Sequence, residues 1–425
     1  MNKTEQTISN KAIYIWNIVG SMANAVFSVV VLMIVTRSVS ENQADIFSIA
    51  WSISQLMLII GTFQIRTYQA TDIAGKYTFN QYLYFRIITI IAMLLTSLIY
   101  VCIKDYDIYK ATIIFLMCMI RAVEALSDIY EGWFQQKERL DLAGKVVTYR
   151  VLISLFAFAG ALALFKTLLP ACIILLFSYM ISFGFFNVRY SKDVKGIKNS
   201  FRFIKNNRWM LDIFKEGLPI FVNAFLMMSI MNAPKMSIDM AIEGGAMGDG
   251  AQAAFSILFM PASFINLAYI VFRPMITKMA IAWNVGRKKE LINILVKIEI
   301  CLFGVGVALF IGGSLLGIPL LSWFYGMDLT VYKEQLLVII VGGCFYTFAS
   351  VFDNALVAMR KHHVLVFSYI ATWLYIKVIA DKMVYTKGIK GAAIAYTSAM
   401  LVFLVFTMIL FVLFFIKVKK NEKGE

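Results

Sequence analysis

Twelve apolar stretches, each close to the length that spans a bilayer, fill most of the chain. They cover residues 13–35, 46–65, 82–103, 109–133, 147–165, 168–186, 218–242, 251–275, 291–315, 336–358, 364–384 and 391–416. A hydrocarbon core about 30 Å thick takes roughly 20 residues at a rise of 1.5 Å each. Unpaired backbone groups are not tolerated in lipid, so each stretch is expected to be a helix. That feature alone excludes a soluble enzyme. Composition agrees: 60% of the 425 residues are hydrophobic and 15% are charged, against about 45–50% and about 25% in soluble domains. The mean hydropathy is +0.77.

The formal charge is +15, from 40 Lys+Arg against 25 Asp+Glu. In a soluble chain this excess would suggest nucleic acid; here the membrane accounts for it, and no nucleic-acid partner is expected. With the N-terminus placed in the cytoplasm, Lys and Arg favour the cytoplasmic side of the twelve stretches roughly threefold, which orients both termini inside. The longest polar segment, 187–215, carries eight of the basic residues. It separates two sets of six helices, so the expected division is 1–190 (N-terminal six-helix lobe), 191–215 (basic cytoplasmic linker) and 216–425 (C-terminal six-helix lobe). Six is even, so the two sets share one orientation, as parallel repeats do. The linker is read as positive-inside topology or as a contact for anionic lipid headgroups.

Cys102, Cys118, Cys172, Cys301 and Cys344 are odd in number and none is in a CxxC, so they read as core thiols. No disulfide framework or metal site is expected. The first stretch is too long for a signal-peptide core and reads as a retained membrane helix; no lipidation motif is present.

Charges within the membrane are costly and face a bundle interior or a wet cavity. The fourth stretch holds Arg121, Glu124, Asp128 and Glu131 at offsets 3, 7 and 10, on one helical face. Two readings stand: an ion pair that fixes packing, or the wall of a wet lumen. The seventh holds Asn232, Lys235 and Asp239 on one face, with Pro219 and Pro234 as candidate hinges. The eighth holds Pro261, Asn266 and Arg273, and the first a narrow stripe of Asn17, Ser21, Asn24 and Ser28 that also fits helix-packing polar residues. Gln55, Gln64 and Arg66 in and beside the second stretch, Arg86 in the third and Asp353 in the tenth complete the set. Arg66, Arg86, Arg273 and Asp353 lie near enough to a surface to snorkel. With both halves contributing polar faces, the expected fold is all-α: a polytopic membrane protein of 12 transmembrane helices in two six-helix lobes around a central polar cavity with a cationic bias.

No GxxxxGK[ST] loop and no complete GxGxxG occurs. His362 and His363 are adjacent and point to different helix faces, which argues against joint metal binding. No GxSxG or HExxH appears. No catalytic residue, metal or cofactor is therefore expected, and the chain reads as a transporter rather than an enzyme.

Five stretches carry a family resemblance. GIPLLSWFYG (317–326) followed by GIKGAAIAY (388–396) looks like the C-terminal half of polysaccharide flippases, and IRTYQATD (65–72), FQQKERLDLAGK (134–145) and NAPKMSID (232–239) resemble bacterial capsule and O-antigen flippases. These are Wzx-type proteins of the multidrug/oligosaccharidyl-lipid/polysaccharide (MOP) exporter superfamily, with MATE-like architecture. The resemblance implies flipping of undecaprenyl-diphosphate-linked oligosaccharide (a capsule, O-antigen or exopolysaccharide repeat unit) from the cytoplasmic to the outer leaflet of the bacterial cytoplasmic membrane by alternating access. It implies membrane lipids, a polysaccharide polymerase and glycosyltransferases as partners. It also implies cavity cations that offset the diphosphate, a role falling on Arg121 and Lys235 and, nearer the cytoplasmic mouth, on Arg66 and Arg273. Asn24 and Asn232 join them as substrate-binding candidates. Glu124, Asp128 and Asp239 would partner these cations or couple to ions. The competing readings are a cation-coupled multidrug exporter of the same superfamily and a membrane enzyme of envelope glycan assembly.

Overall fold

A computed structural model describes residues 10–72, 75–192, 194, 208–270 and 272–421. The side chains of residues 10, 11, 266–270, 273, 274, 362 and 417–421 fall outside that description, and so does most of the predicted linker. All regular structure among the described residues is helical. In chain order it is α1 (Asn10–Ser38), α2 (Glu41–Thr62), α3 (Ile65–Thr71), α4 (Phe79–Lys104), α5 (Ile108–Gln136), α6 (Leu140–Phe165), α7 (Leu168–Ser182) and α8 (Val188–Ser191), then α9 (Arg208–Glu243), α10 (Ala251–Leu258), α11 (Met260–Ile270), α12 (Arg273–Asn284), α13 (Lys288–Gly312), α14 (Ile318–Tyr325), α15 (Lys333–Ala358) and α16 (Leu365–Asn421). Single π turns, Phe183–Asn187 and Gly313–Gly317, join α7 to α8 and α13 to α14.

Helix starts follow local chemistry. The Ser40 side chain accepts from the Gln43 N–H at the head of α2, and Asp107 accepts from the Tyr109 and Lys110 N–H groups at the head of α5. Thr78 and Gln81 form a reciprocal capping box on α4. Each satisfies a donor that the first turn would otherwise leave open.

Nine helices among the described residues are long and apolar enough to cross a membrane. The remaining predicted spans differ for physical reasons. The fourth, in α5, is a full-length helix but carries Lys110, Arg121, Glu124, Asp128 and Glu131. The eighth is broken into α10, α11 and α12. The eleventh and twelfth both lie in α16, which is interrupted at Gly388 by non-helical angles (φ 57, ψ −138) that only glycine adopts readily. Exposed apolar side chains mark the lipid face: Ile88, Ile91, Leu95 and Ile99 lie at helical spacing along α4 and are all exposed, a continuous stripe that a soluble protein would bury. The chain is an all-α polytopic membrane protein.

Two compact units form, Met1–Ala224 and Phe225–Glu425. The division falls inside α9, not in the basic segment before it. The reason is aromatic packing: Phe221 stacks on Phe63 at 4.5 Å between centroids, and Phe214 stacks on the same ring at 5.2 Å. Glu216, between them in sequence, accepts from Lys76 Nζ at 2.6 Å and from the Tyr77 hydroxyl at 3.3 Å. The first half of α9 thereby belongs to the N-terminal unit.

Within that unit α1 lies against α6 at backbone distance: a Cβ on Gly20 would sit 2.9 Å from the Gly144 Cα. Small residues permit such crossings where the hydrophobic effect gives no help. In the C-terminal unit Gly343 meets the Ala262 backbone in the same way, and Gly342 leaves room for the Tyr396 ring. The core there gathers Ile298, Leu302, Val351, Leu356 and Phe411 from α13, α15 and α16.

Candidate functional site

A cavity of about 280 Å³ lies within the N-terminal unit. Its wall comes from four helices: Asn17, Gly20, Ser21 and Asn24 of α1; Arg66 of α3; Glu124, Asp128 and Glu131 of α5; and Ala143, Gly144, Val147 and Arg150 of α6. The close α1–α6 approach at Gly20 and Gly144 sets one side of it. The polar stripe of α1 faces this space, and so does the acidic face of α5.

Ion pairs hold the far wall. Arg66 Nη1 donates to Asp128 Oδ1 and to Glu131 Oε2, both at 3.0 Å. Arg150 Nη1 donates to Glu131 Oε1 at 3.0 Å. Arg86 Nη2 donates to Asp128 Oδ2 at 2.9 Å, and its Nη1 to the Gly61 carbonyl at 2.8 Å. Arg121 pairs with Glu124 one turn along α5, its guanidinium lying 4.3 Å from the Trp51 ring centroid. Four arginines thus meet three carboxylates, an excess of one positive charge in a membrane-embedded unit. Charge-assisted bonds of this kind are the strong ones, and pairing makes the burial tolerable.

Two features bear on chemistry. Arg66 and Arg150 each commit only Nη1 to these carboxylates, so among the described residues their other guanidinium nitrogens have no hydrogen-bond partner, although the Arg150 guanidinium lies 5.7 Å from the Tyr179 ring centroid. Asn17, Ser21 and Asn24 line the cavity and likewise make no side-chain hydrogen bond among the described residues. The site offers spare cationic donors on one side and free amide and hydroxyl groups on the other.

Of the residues singled out from sequence, Arg66, Asn24, Glu124 and Asp128 come together here. Arg121 does not line the cavity; it is buried behind Glu124 against Trp51. Asn232, Lys235 and Asp239 lie in the C-terminal unit on α9. Lys235 Nζ sits 4.9 Å from the Phe259 ring centroid, and Asn232 and Asp239 are buried. The Arg273 side chain lies outside the described residues. Among the candidate hinges, Pro219 and Pro234 fall within α9, which is assigned as continuous. Pro261 is the second residue of α11, two residues after the break at Phe259. A proline there supplies no N–H to the preceding turn, which suits an interruption.

Sequence reasoning missed Arg150 as a site residue and placed Arg86 at a surface. Arg86 is instead fully buried. Both errors come from taking hydropathy boundaries as helix boundaries. α6 starts at Leu140, seven residues before the apolar stretch, so Arg150 lies nearly three turns inside it. Spacing gave a usable signal, since Arg150 shares a face with Ala143 and Val147 at offsets 7 and 3.

The stretches 65–72 and 134–145 are also explained. The Gln136 amide donates to the Asp72 carbonyl, and Gln69 Nε2 donates to the Ile129 carbonyl at 3.2 Å. The Asp72 carboxylate caps the next turn, accepting from the Lys76 and Tyr77 N–H groups at 2.8 and 3.0 Å and from the Tyr82 hydroxyl at 3.0 Å. These segments dock α3 on α5 and so place Arg66.

No family model matches the chain. It is 21% identical over 392 residues to the capsular polysaccharide biosynthesis protein CapF of Staphylococcus aureus, covering 91% of this chain and 95% of that one. Among solved structures it resembles an inward-facing multidrug resistance MATE family transporter of the MOP superfamily, with a TM-score of 0.72 at 12% identity over 94% of this chain and 96% of that one. It also resembles a MOP superfamily transporter from Pyrococcus furiosus, described as having a binding pocket of reverse polarity that suggests a different function, with a TM-score of 0.61 at 13% identity over 96% of each chain. The fold is that of the MATE transporters of the MOP superfamily, in agreement with the resemblance carried by the sequence stretches.

Proposed function

We propose that this chain is a flippase for a lipid-linked oligosaccharide, moving an undecaprenyl-diphosphate-linked repeat unit from the cytoplasmic to the outer leaflet of a bacterial cytoplasmic membrane. The observation that carries the reading is the set of uncommitted guanidinium nitrogens on Arg66 and Arg150, facing the free polar groups of Asn17, Ser21 and Asn24. A diphosphate needs charge-assisted donors, and planar guanidinium groups supply them. Sugar hydroxyls need amides and hydroxyls that are not already bonded. The prenyl tail stays in lipid. The capsule-related name of the Staphylococcus aureus relative points the same way.

On this reading Arg66 and Arg150 contact the anion, while Arg86 and Arg121 hold Asp128 and Glu124 in position. Lys235 and Asn232 serve in the C-terminal unit, with Asp239 as a charge partner and Arg273 nearer the mouth. The two units alternate access, with Pro219, Pro234 and Pro261 as hinges and both termini in the cytoplasm. Glycosyltransferases supply the substrate and a polymerase consumes the product.

The multidrug reading is weaker for a specific reason. A cationic drug needs a free carboxylate, and Glu124, Asp128 and Glu131 are each held by an arginine. The test is the Arg66→Met/Arg150→Met double variant, compared with the parent at equal membrane level. Surface polysaccharide is expected to fall at least tenfold and lipid-linked oligosaccharide to accumulate inside, with drug susceptibility unchanged. Unchanged polymer output would overturn the proposal; a selective gain in drug sensitivity would favour the multidrug exporter.

A further inference from the structure

The C-terminal unit holds polar atoms that its own fold leaves unused. Gln252 is fully buried on α10, yet among the described residues neither its amide oxygen nor its amide nitrogen has a hydrogen-bond partner. The same holds for Ser256 Oγ, one turn along α10, and for Asn232 Nδ2 on α9. Lys235, one turn from Asn232, has no carboxylate partner among the described residues; its ammonium rests on the Phe259 ring. Gln252, Ser256 and Phe259 lie at offsets 4 and 7, on one helical face. The Lys235–Phe259 contact brings the C-terminal end of that face of α10 to Lys235 on α9. Buried polar groups are nearly always bonded in native folds. Four orphaned atoms beside an unpaired cation imply that something else satisfies them.

The backbone adds an independent sign. α10 ends at Leu258 and α11 begins at Met260, with Pro261 in its first turn. In membrane proteins an interrupted helix is tolerated where it is buried in protein or lines a wet cavity, and such breaks accompany substrate sites. The break here falls beside the Phe259 ring under Lys235.

We propose that Asn232, Lys235, Gln252 and Ser256 form a second binding site, internal to the C-terminal unit, for a hydroxyl-rich head that carries an oxyanion. Gln252 and Asn232 pair with sugar hydroxyls through their amides, and Ser256 adds one more hydroxyl contact. Lys235 meets the oxyanion, which is either a phosphate of the lipid linkage or an acid group on the sugar. This inference rests on the lipid-linked oligosaccharide reading and adds to it Gln252 and Ser256 as residues that select for the sugar.

The test uses the purified full chain in nanodiscs with three probes: farnesyl diphosphate, farnesyl-diphosphate-linked N-acetylglucosamine, and the same lipid linked to glucuronic acid. The parent is expected to bind the sugar-bearing probes at least tenfold more tightly than farnesyl diphosphate. Gln252→Leu, which keeps side-chain size, should abolish that preference and leave farnesyl diphosphate affinity unchanged. Ser256→Ala, a smaller change, should reduce the preference a few-fold. Lys235→Met should weaken all three probes if the oxyanion is the phosphate, or the glucuronic acid probe alone if it is the sugar acid. Parent-like sugar preference in both Gln252→Leu and Ser256→Ala, or no preference in the parent, refutes the second site: its buried atoms then only hold water. A parent that binds none of the three probes refutes the transport reading itself.

Discussion

Glu131→Leu probes the arginine–carboxylate network most directly. Glu131 is buried and takes one bond from Arg66 and one from Arg150, on different oxygens. With leucine in its place Arg66 keeps Asp128, but Arg150 loses its acid while its side chain is only 5% exposed. Removing one partner of a buried pair costs about 3–5 kcal/mol, because the other charge stays buried and unpaired. Arg150→Met removes the cation instead. Glu131 then keeps Arg66, and the loss is one charge-assisted hydrogen bond, about 1.5–3 kcal/mol. Removing both partners leaves no orphaned charge, and apolar replacement of buried pairs is often close to neutral. The double variant should therefore be more stable than Glu131→Leu alone, although it carries one more substitution.

At about 2–4 °C per kcal/mol for a unit of this size, Glu131→Leu should melt roughly 6–20 °C below the parent. The double variant should recover at least about 2–4 °C of that. A thiol-reactive fluorophore reads the transition, since Cys118 and Cys172 are buried in the same unit. Cys102 and Cys301 are exposed and are replaced by serine to remove background. A double variant that melts at or below Glu131→Leu would refute the coupling through this pair, and with it the picture of Arg150 as a cation held in place by Glu131.

Gly144→Leu should drive a side chain into the Trp16 carbonyl on α1; polysaccharide output should fall at least tenfold at normal membrane level, and parent-like output would show that α1 is not a working wall of the cavity. Gly388→Ala places a Cβ on a residue with φ 57 and ψ −138 and should cost about 1–3 kcal/mol, seen as a lower melting temperature; no change would mean that the kink is not required. Lys76 is held above the usual lysine range by its hydrogen bonds to Glu216 and then to Tyr77. A raised folded-state value adds stability that is whole below about pH 10 and is lost as pH rises through the folded value. The melting temperature should therefore fall more steeply above about pH 10 in the parent than in Glu216→Gln, and equal slopes would remove this contact from the fold's stability.

The fold was legible because lipid leaves few options: apolar length determines helices directly, and most predicted spans have a counterpart. What hydropathy could not supply was where helices begin and break. α4 and α6 extend into polar sequence beyond their apolar stretches, and that extension carries Arg86 and Arg150 inward. The α5 face was readable from offsets of 3, 7 and 10, because a helix of fixed pitch brings those positions together whatever surrounds it. Which of its charges meet solvent was not readable, since that depends on α1, α3 and α6. The unit boundary within α9 was also hidden: Phe214, Glu216 and Phe221 look like ordinary helix residues until Phe63 and Lys76 are placed beside them.

Two readings were open for the acidic face of α5, structural ion pairing and a functional lumen, and the proposed function assigns each its own residues. Arg121 and Glu124 have a structural arrangement: they pair on one helix, and the guanidinium is stacked on Trp51 away from the cavity. Arg66 and Arg150 have a different one. Among the described residues all four arginines leave a guanidinium nitrogen without a hydrogen bond: Arg86 Nε and Arg121 Nη2 are buried in protein, whereas Arg66 and Arg150 line the cavity, and an unmet donor in a dry interior is costly. These two arginines keep donors in reserve on the cavity wall, in a cluster with one cation more than it has acids. An excess of this kind is stable only with water or an anion to meet it. A mobile anionic group that enters the cavity would be one such counter-charge. On the proposed reading that group is the diphosphate, and Arg66→Met/Arg150→Met removes it from reach while leaving Arg121 and Glu124 untouched.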